Sequence, residues 1–325
     1  MAMQLRRFGR MNWLVSEIGY GMWGMAGWSG SDDAESLESL QLAIDQGCNF
    51  FDTAWAYGDG KSERLLGQIL RANAGKTVYS ATKIPPKNRR WPTRRGDRID
   101  DVFPPDHIRE YAERSLENIG RTPIDLLQFH VWEDEWAEDT RWQRAVDDLR
   151  REGLVRAIGV SVNRWEPWNV IATLRAGFVD AVQVIYNIFD QAPEDELFPL
   201  CRELDIGVIA RVPFDEGSLT GALTKDSSWP KGDFRNLYFV PENLGPTVER
   251  VAALRADLPA GASLPDTALR FILANPNVSV VIPGMRKTAH VRANIAASDA
   301  PRLSGQDLAK LRTHRWDRAP TVWSS

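Results

Sequence analysis

The sequence predicts an α/β protein built as a single (β/α)8 TIM barrel, with an N-terminal β-hairpin and long loops at the C-terminal rim. Three observations lead there. Eight short apolar runs alternate with amphipathic stretches of helical length, the pattern of parallel strands joined by crossover helices. The chain has 325 residues, enough for one such barrel of about 250 residues with insertions. Three connections too long for plain loops, 84–104, 131–141 and 213–246, each follow a predicted strand; a barrel would gather them on the rim that carries function. A doubly wound open sheet is the alternative for the same alternation.

Residues 4–8 and 12–15, split by Gly9 and Arg10, read as a hairpin ahead of the barrel. This divides one domain into a hairpin at 3–15, a barrel at 17–297 and a tail at 298–325. Strands are expected at 17–21, 49–52, 78–83, 126–129, 157–161, 181–184, 207–210 and 278–282. The first helix is expected at 32–46, with Leu37, Leu40, Ala43 and Ile44 on one face. Asp32 followed by Glu35 gives it a capping start, and Gly47 stops it. Further helices are expected at 62–73, 105–119, 142–152, 165–176, 194–204, 247–258 and 287–297, with an extra one at 264–274 before the last strand.

Composition narrows the function classes. Apolar residues make up 43% and charged residues 26%, an ordinary globular mix. Forty basic against 44 acidic residues give a net charge of −4, which argues against a nucleic-acid partner. Cys48 and Cys201 are too few and too far apart for a disulfide scaffold or zinc site, so no metal is expected. No apolar run approaches the roughly 18 residues of a membrane span, and the first residues lack a signal peptide's apolar stretch. A cytoplasmic protein without a membrane partner, monomeric or weakly homo-oligomeric, is expected. The 13 tryptophans point to a bulky core or an indole-lined pocket.

Gly19-Tyr20-Gly21-Met22-Trp23-Gly24 matches the dinucleotide fingerprint GxGxxG. That motif needs a helix to begin at once, so that its N-terminus can hold the pyrophosphate. Here Ala26-Gly27-Trp28-Ser29-Gly30-Ser31 follows, which reads as a glycine-rich loop over a barrel mouth.

Three successive strands end in groups that can move protons. The second ends in Asp52, with Tyr57 just beyond; the third ends in Lys83 and the fourth in His130. Singly, these could be a cap, a turn residue, a solvated charge and a rim histidine. Barrel closure would bring all four into one pocket. Reducing a carbonyl needs hydride on carbon and a proton on oxygen. A free tyrosine, with pKa about 10, gives its proton reluctantly. An ammonium held by a carboxylate would lower that pKa, and a histidine could orient the carbonyl oxygen.

At these residues the sequence resembles the aldo-keto reductase superfamily, NADPH-dependent barrels without a Rossmann domain. Asp52-Thr53-Ala54-Trp55-Ala56-Tyr57-Gly58 is similar to that family's Asp-Thr-Ala-x-x-Tyr-Gly signature. The resemblance runs in order from Gly21 to Asn294. It implies that Tyr57 is the general acid, that Lys83 and His130 assist it, and that Asp52 holds Lys83. It also implies that NADPH or NADP+ is the cofactor, with NADH as the alternative. The substrate implied is a small-molecule carbonyl or alcohol.

The resemblance further assigns a cofactor groove. Gly21, Trp23 and Asp52 belong to it, and Ser161 and Gln183 would hold the nicotinamide carboxamide. Val162 stands where the family has asparagine, which displaces that residue type to Asn163. Arg211 stands where the family has a stacking aromatic and is expected to cover the nicotinamide face. Val212, Pro213, Phe214, Glu216 and Ser218 lie in the loop whose backbone amides would wrap the pyrophosphate. Gly284 and Arg286 would meet the 2′-phosphate, with His290 in place of the usual glutamine and Asn294 on the adenine. The spacing 286, 290, 294 places these three on one helix face.

Trp23, Trp55, Trp91 and Trp132 lie on rim loops and are expected to line the substrate pocket. The basic loop 84–104 and the acidic stretch 132–139 leave adjacent strands. They would pair with each other or, alternatively, steer an anionic substrate. Two other functional readings belong to the same superfamily. One is a sugar or polyol dehydrogenase working oxidatively. The other is a cofactor-binding subunit with little catalysis, as in potassium-channel β subunits.

Overall fold

The two strands of the N-terminal hairpin, β1 (Leu5–Phe8) and β2 (Trp13–Ser16), pair antiparallel with Leu5 opposite Ser16 and Phe8 opposite Trp13. The computed structural model describes residues 3–27 and 30–319; Trp28 and Ser29 of the glycine-rich loop, and 320–325 of the predicted tail, lie outside them. The hairpin closes the floor of the barrel. Phe8 and Val15 are fully buried in one cluster with Phe50, Leu126 and Ile209. Gly9 makes this fit possible: its φ is +44°, and a Cβ there would lie 2.4 Å from the Gly207 nitrogen.

Eight parallel strands then alternate with helices. They are β3 (Tyr20–Gly21), β4 (Phe50–Asp52), β5 (Tyr79–Ile84), β6 (Ile124–Phe129), β7 (Val155–Ser161), β8 (Ala181–Ile185), β9 (Gly207–Arg211) and β10 (Val280–Val281). Each pairs with the next in sequence. Bridges from Ile18 to Val281 and from Gly21 to Gly284 bring the first and last strands together, so the (β/α)8 expectation holds and the open sheet does not. Gly21 is required at that seam, because a Cβ would sit 2.7 Å from the Ile282 carbonyl oxygen.

Among the helices are α1 (Asp33–Asp45), α2 (Lys61–Ala72), α3 (Ile99–Val102), α4 (Pro105–Ile119) and α5 (Thr140–Arg151). The Asp32 side chain caps α1 by accepting from the Glu35 amide at 2.8 Å. The expected helix at 165–176 shrinks to α6 (Ile171–Arg175). Trp165 has φ +59°, which a helix cannot contain, and Pro167 lacks an amide donor. After α7 (Leu197–Glu203), the insertion 213–246 contains α8 (Arg235–Tyr238) and the start of α9 (Pro241–Asp257). The latter begins six residues before the expected 247, with Pro246 inside it. Beyond α10 (Leu264–Leu273) and α11 (Thr288–Asp299), the predicted tail carries a further helix, α12 (Gly305–Arg312), with a capping box from Ser304 and Asp307. No helix among the described residues is long and apolar enough to cross a membrane.

Candidate active site

Strand register builds the site in layers. Ala81 pairs with Asp52 and Leu126, Lys83 with Gln128, and Ser161 with Gln183. Side chains two residues apart on a strand share a face. The apolar floor of Phe50, Ala81, Leu126, Ala157, Ala181 and Ile209 is therefore followed toward the C-terminal rim by Asp52, Lys83, Gln128, Gln183 and Arg211. Asp52 is the hub. One carboxylate oxygen accepts from Lys83 Nζ at 2.5 Å; the other accepts from Gln128 Nε2 at 3.0 Å and Gln183 Nε2 at 2.8 Å. Lys83 also donates to the Thr53 carbonyl at 2.8 Å. With a fully buried ammonium, such pairing is required.

Tyr57 and His130 stand over this layer. Lys83 Nζ lies 5.2 Å from the Tyr57 ring centroid, and the Tyr57 and His130 rings meet edge to face at 5.6 Å. Trp91 packs on the other side of His130 at 4.5 Å. These groups open into a cavity of about 300 Å³ with Ser161, Gln183 and Arg211 on its wall and Phe234 and Leu237 on its outer side. Of the four residues singled out at the strand ends, Tyr57 and His130 line this cavity, while Asp52 and Lys83 are buried outside its lining, with the ammonium beside the Tyr57 ring.

The electrostatics differ from the expectation in one respect. Burial pushes the Tyr57 phenol above its ordinary pKa; Lys83 and Arg211 pull it back, but burial prevails. The phenol is accordingly in its proton-carrying form at neutral pH. Burial, then the charges of Lys83 and Arg211, hold His130 well below its ordinary value, so its imidazole is neutral. Its buried Nδ1 has no partner among the described residues. Arg211 donates from Nη2 to the Val162 carbonyl at 3.0 Å, while its buried Nε meets no partner among the described residues. Burial and Arg164 lower it to about 10, which leaves it charged at neutral pH.

Several groove residues are committed elsewhere. Asn163 donates to the Trp132 carbonyl, Glu133 and Thr93 and accepts from the Trp132 amide, so it braces the loop after β7. Glu216 pairs with Arg164 at 2.8 Å, and the Ser218 hydroxyl donates to Asp215 at 2.7 Å. Val212 has φ +56°, Pro213 is buried, and Phe214 is partly buried against the core. At the other end of the groove, Gly284 is exposed, with open space where a Cβ would stand. Arg286 lies beside Gly24 and Gly30. The single helix face expected for 286, 290 and 294 is corrected: α11 starts at Thr288, with Lys287 at its N-cap, so Arg286 precedes the helix. His290 is exposed on its first turn; Asn294 is buried, and its Nδ2 has no partner among the described residues.

The tryptophans divide. Trp91 lines the cavity, and Trp23, 43% exposed, meets Phe234 edge to face at 4.9 Å beside it. Trp132 does not line the cavity. It is fully buried, donates to Thr173 Oγ1 at 2.8 Å and packs between Trp136 and Trp142. The apolar layer beneath the acidic loop takes its indole. Trp55 is also turned away, edge-on to Tyr111 and capped by Arg89. The charged mouth loops pair with one another, Arg95 with Glu135 at 3.0 Å and Arg141 with Asp100 at 2.5 Å, while Arg90 pairs with Asp97 at 2.7 Å within its own loop.

Sequence reasoning passed over Gln128, Arg164 and the wall residues Phe234, Leu237 and Tyr238. Gln128 could have been found, because it lies two residues before His130 and so shares its face. The wall residues sit in an insertion with no periodicity to place them.

The aldo/keto reductase family model matches residues 17–315. An uncharacterized oxidoreductase of Bacillus subtilis is 29% identical over 321 residues, covering 96% of each chain. The NADH-specific methylglyoxal reductase of Escherichia coli is 28% identical over 317 residues, covering 92% of this chain and 94% of that protein. The structure of a glycerol dehydrogenase from Gluconobacter oxydans superposes with a TM-score of 0.76 at 26% identity, covering 97% of this chain and 95% of the other. A family match over nearly the whole barrel, on a fold whose polar layer sits at the strand ends, makes this chain a member of the aldo/keto reductase family of oxidoreductases.

Proposed function

We propose that the protein reduces an aldehyde or ketone to an alcohol, with NADPH as hydride donor and Tyr57 as general acid. The observation that carries this reading is the buried Asp52–Lys83 pair with its ammonium beside the Tyr57 ring, which meets His130 edge to face in the cavity. When bound, the nicotinamide supplies a hydride to the carbonyl carbon. Tyr57 then gives its proton to the carbonyl oxygen. Lys83 favours the phenolate that results, and Asp52 keeps the ammonium charged and in place. Neutral His130 donates a hydrogen bond to the same oxygen as charge develops there.

The residues present fit a dinucleotide. The partnerless nitrogens of Arg211 and Asn294 lie in the segments assigned to its two ends. Ser161 and Gln183 serve the carboxamide; because Gln183 Nε2 is held by Asp52, its carbonyl is the group offered. Glu216 and Ser218 have their side chains engaged, so the loop 212–218 contributes backbone amides. Arg286 beside the glycine-rich loop supplies a cation for the 2′-phosphate and favours NADPH over NADH.

Likeness to a glycerol dehydrogenase supports a second reading, the oxidation of a sugar or polyol with NADP+. Likeness to an NADH-specific methylglyoxal reductase makes NADH the alternative cofactor. Initial rates with a simple aldehyde and with glycerol, each with both cofactors in the appropriate redox form, test the proposal. Faster NADPH-dependent reduction supports it, whereas turnover confined to the polyol direction overturns it.

A further inference from the structure

The C-terminal segment after α12 returns to the rim and inserts one side chain. Arg318 is buried to 3% exposure. Its guanidinium pairs with Asp215 at 2.7 Å and with Asp190, and donates to the Tyr238 hydroxyl at 3.1 Å. Trp165 and Trp316 lie against it at 4.6 and 4.7 Å. Two of these partners form the wall of the groove. Asp215 belongs to the loop after β9, and Tyr238 borders the catalytic cavity.

That loop is strained and carries charge of the wrong sign. Val212, Asp215, Glu216 and Gly217 have φ of +56°, +45°, +54° and +103°, a region unfavourable for valine and glutamate. Two adjacent carboxylates would also repel a pyrophosphate. Each is turned onto an arginine, Asp215 onto Arg318, which it shares with Asp190, and Glu216 onto Arg164. A buried ion pair adds little net stability, because desolvation offsets its attraction. What the cluster does supply is a fixed position and a cation set against the Asp215 carboxylate.

We infer that Arg318 is a positioning residue for the cofactor. By holding Asp215, it sets the loop and offsets the charge of that carboxylate, so that the backbone amides outside the loop's own turns are presented to the dinucleotide pyrophosphate. The inference rests on the reading that this loop binds NADPH. It links the end of the chain to cofactor affinity without any contact between Arg318 and substrate.

The test is NADPH titration by quenching of tryptophan fluorescence in wild type, Arg318→Met, Asp215→Asn and the double variant. Arg318→Met should raise the NADPH Kd about tenfold or more, because it strands two buried carboxylates, of which Asp215 lies in the anion-binding loop. Adding Asp215→Asn should return Kd part of the way toward the wild-type value, with Asp190 still unpaired, which a merely structural loss would not do. An unchanged Kd in folded Arg318→Met overturns the inference, as does a double variant as weak as the single one. Should Arg318→Met fail to fold, Arg318→Lys keeps the charge without the two-carboxylate fork. It should weaken NADPH about threefold or more, and an unchanged Kd there is equally fatal. Absence of NADPH binding by wild type would overturn the functional reading itself, and the inference with it.

Discussion

Replacing Arg211 with methionine removes a buried cation from the cavity wall while keeping most of the side chain's volume. Arg211 has no carboxylate within ion-pair distance among the described residues; Glu216, the acid whose charge acts on it most, is engaged by Arg164. An oxidised nicotinamide ring carries a positive charge and a reduced one does not. Unit charges about 4 Å apart at an effective dielectric of about 20 repel by roughly 4 kcal/mol. Both charges are spread over several atoms, and Glu216 and Asp52 oppose the repulsion, so about 1–2 kcal/mol should remain, a factor of about 5–30 in affinity. Arg211→Met should therefore tighten NADP+ binding by that factor and change NADPH binding much less. Fluorescence titration of both cofactors against both proteins measures the two ratios. Identical NADP+ to NADPH ratios in wild type and variant would refute the reasoning and leave Arg211 as a brace for the Val162 carbonyl.

Other expectations follow from the same geometry. Lys83→Met leaves Asp52 buried without its counter-ion and should cost roughly 3–5 kcal/mol in chemical denaturation; the Asp52→Asn, Lys83→Met double variant should recover part of this loss. In any Lys83→Met protein that folds, the alkaline limb of the pH–rate profile should move to higher pH, because Lys83 pulls the Tyr57 pKa downward. His130 is held neutral in the folded state, with its pKa depressed, so the unfolded chain binds the extra proton first. Its contribution is present above the unfolded value of about 6.5 and is lost as pH falls below it. Thermal melts between pH 5 and 7 should accordingly show a smaller pH dependence in His130→Gln than in wild type. Arg286→Ala should raise the NADPH Kd several-fold while hardly changing that for NADH; equal weakening of both would mean that Arg286 shapes the loop and does not read the phosphate.

The strand ends were legible in the sequence because the second, third and fourth apolar runs stop at or just before a polar residue, Asp52, Lys83 and His130, and a parallel barrel aligns those stops at one level. Asp52, Lys83 and His130 followed from that rule, and Gln128 was available from it. Contacts between distant segments left no local trace. Nothing near Arg318 signals that it closes onto Asp215, 103 residues earlier. Trp132 was misplaced because loop position says where a backbone runs but not which way an indole turns; the apolar layer of Trp136 and Trp142 decided that. The helix expected at 165–176 failed over its first turns, where the positive φ of Trp165 starts the chain in another direction and Pro167 lacks an amide donor.

The central claim is that Tyr57 delivers the proton to the reduced carbonyl. Tyr57→Phe removes the phenolic oxygen and leaves the Asp52–Lys83 pair and the groove in place. The measurement is NADPH oxidation with a simple aldehyde, taken alongside an NADPH titration of the same variant. The account predicts a rate lower by roughly 10²–10⁴-fold with the NADPH Kd near that of wild type. Full activity in Tyr57→Phe would contradict it.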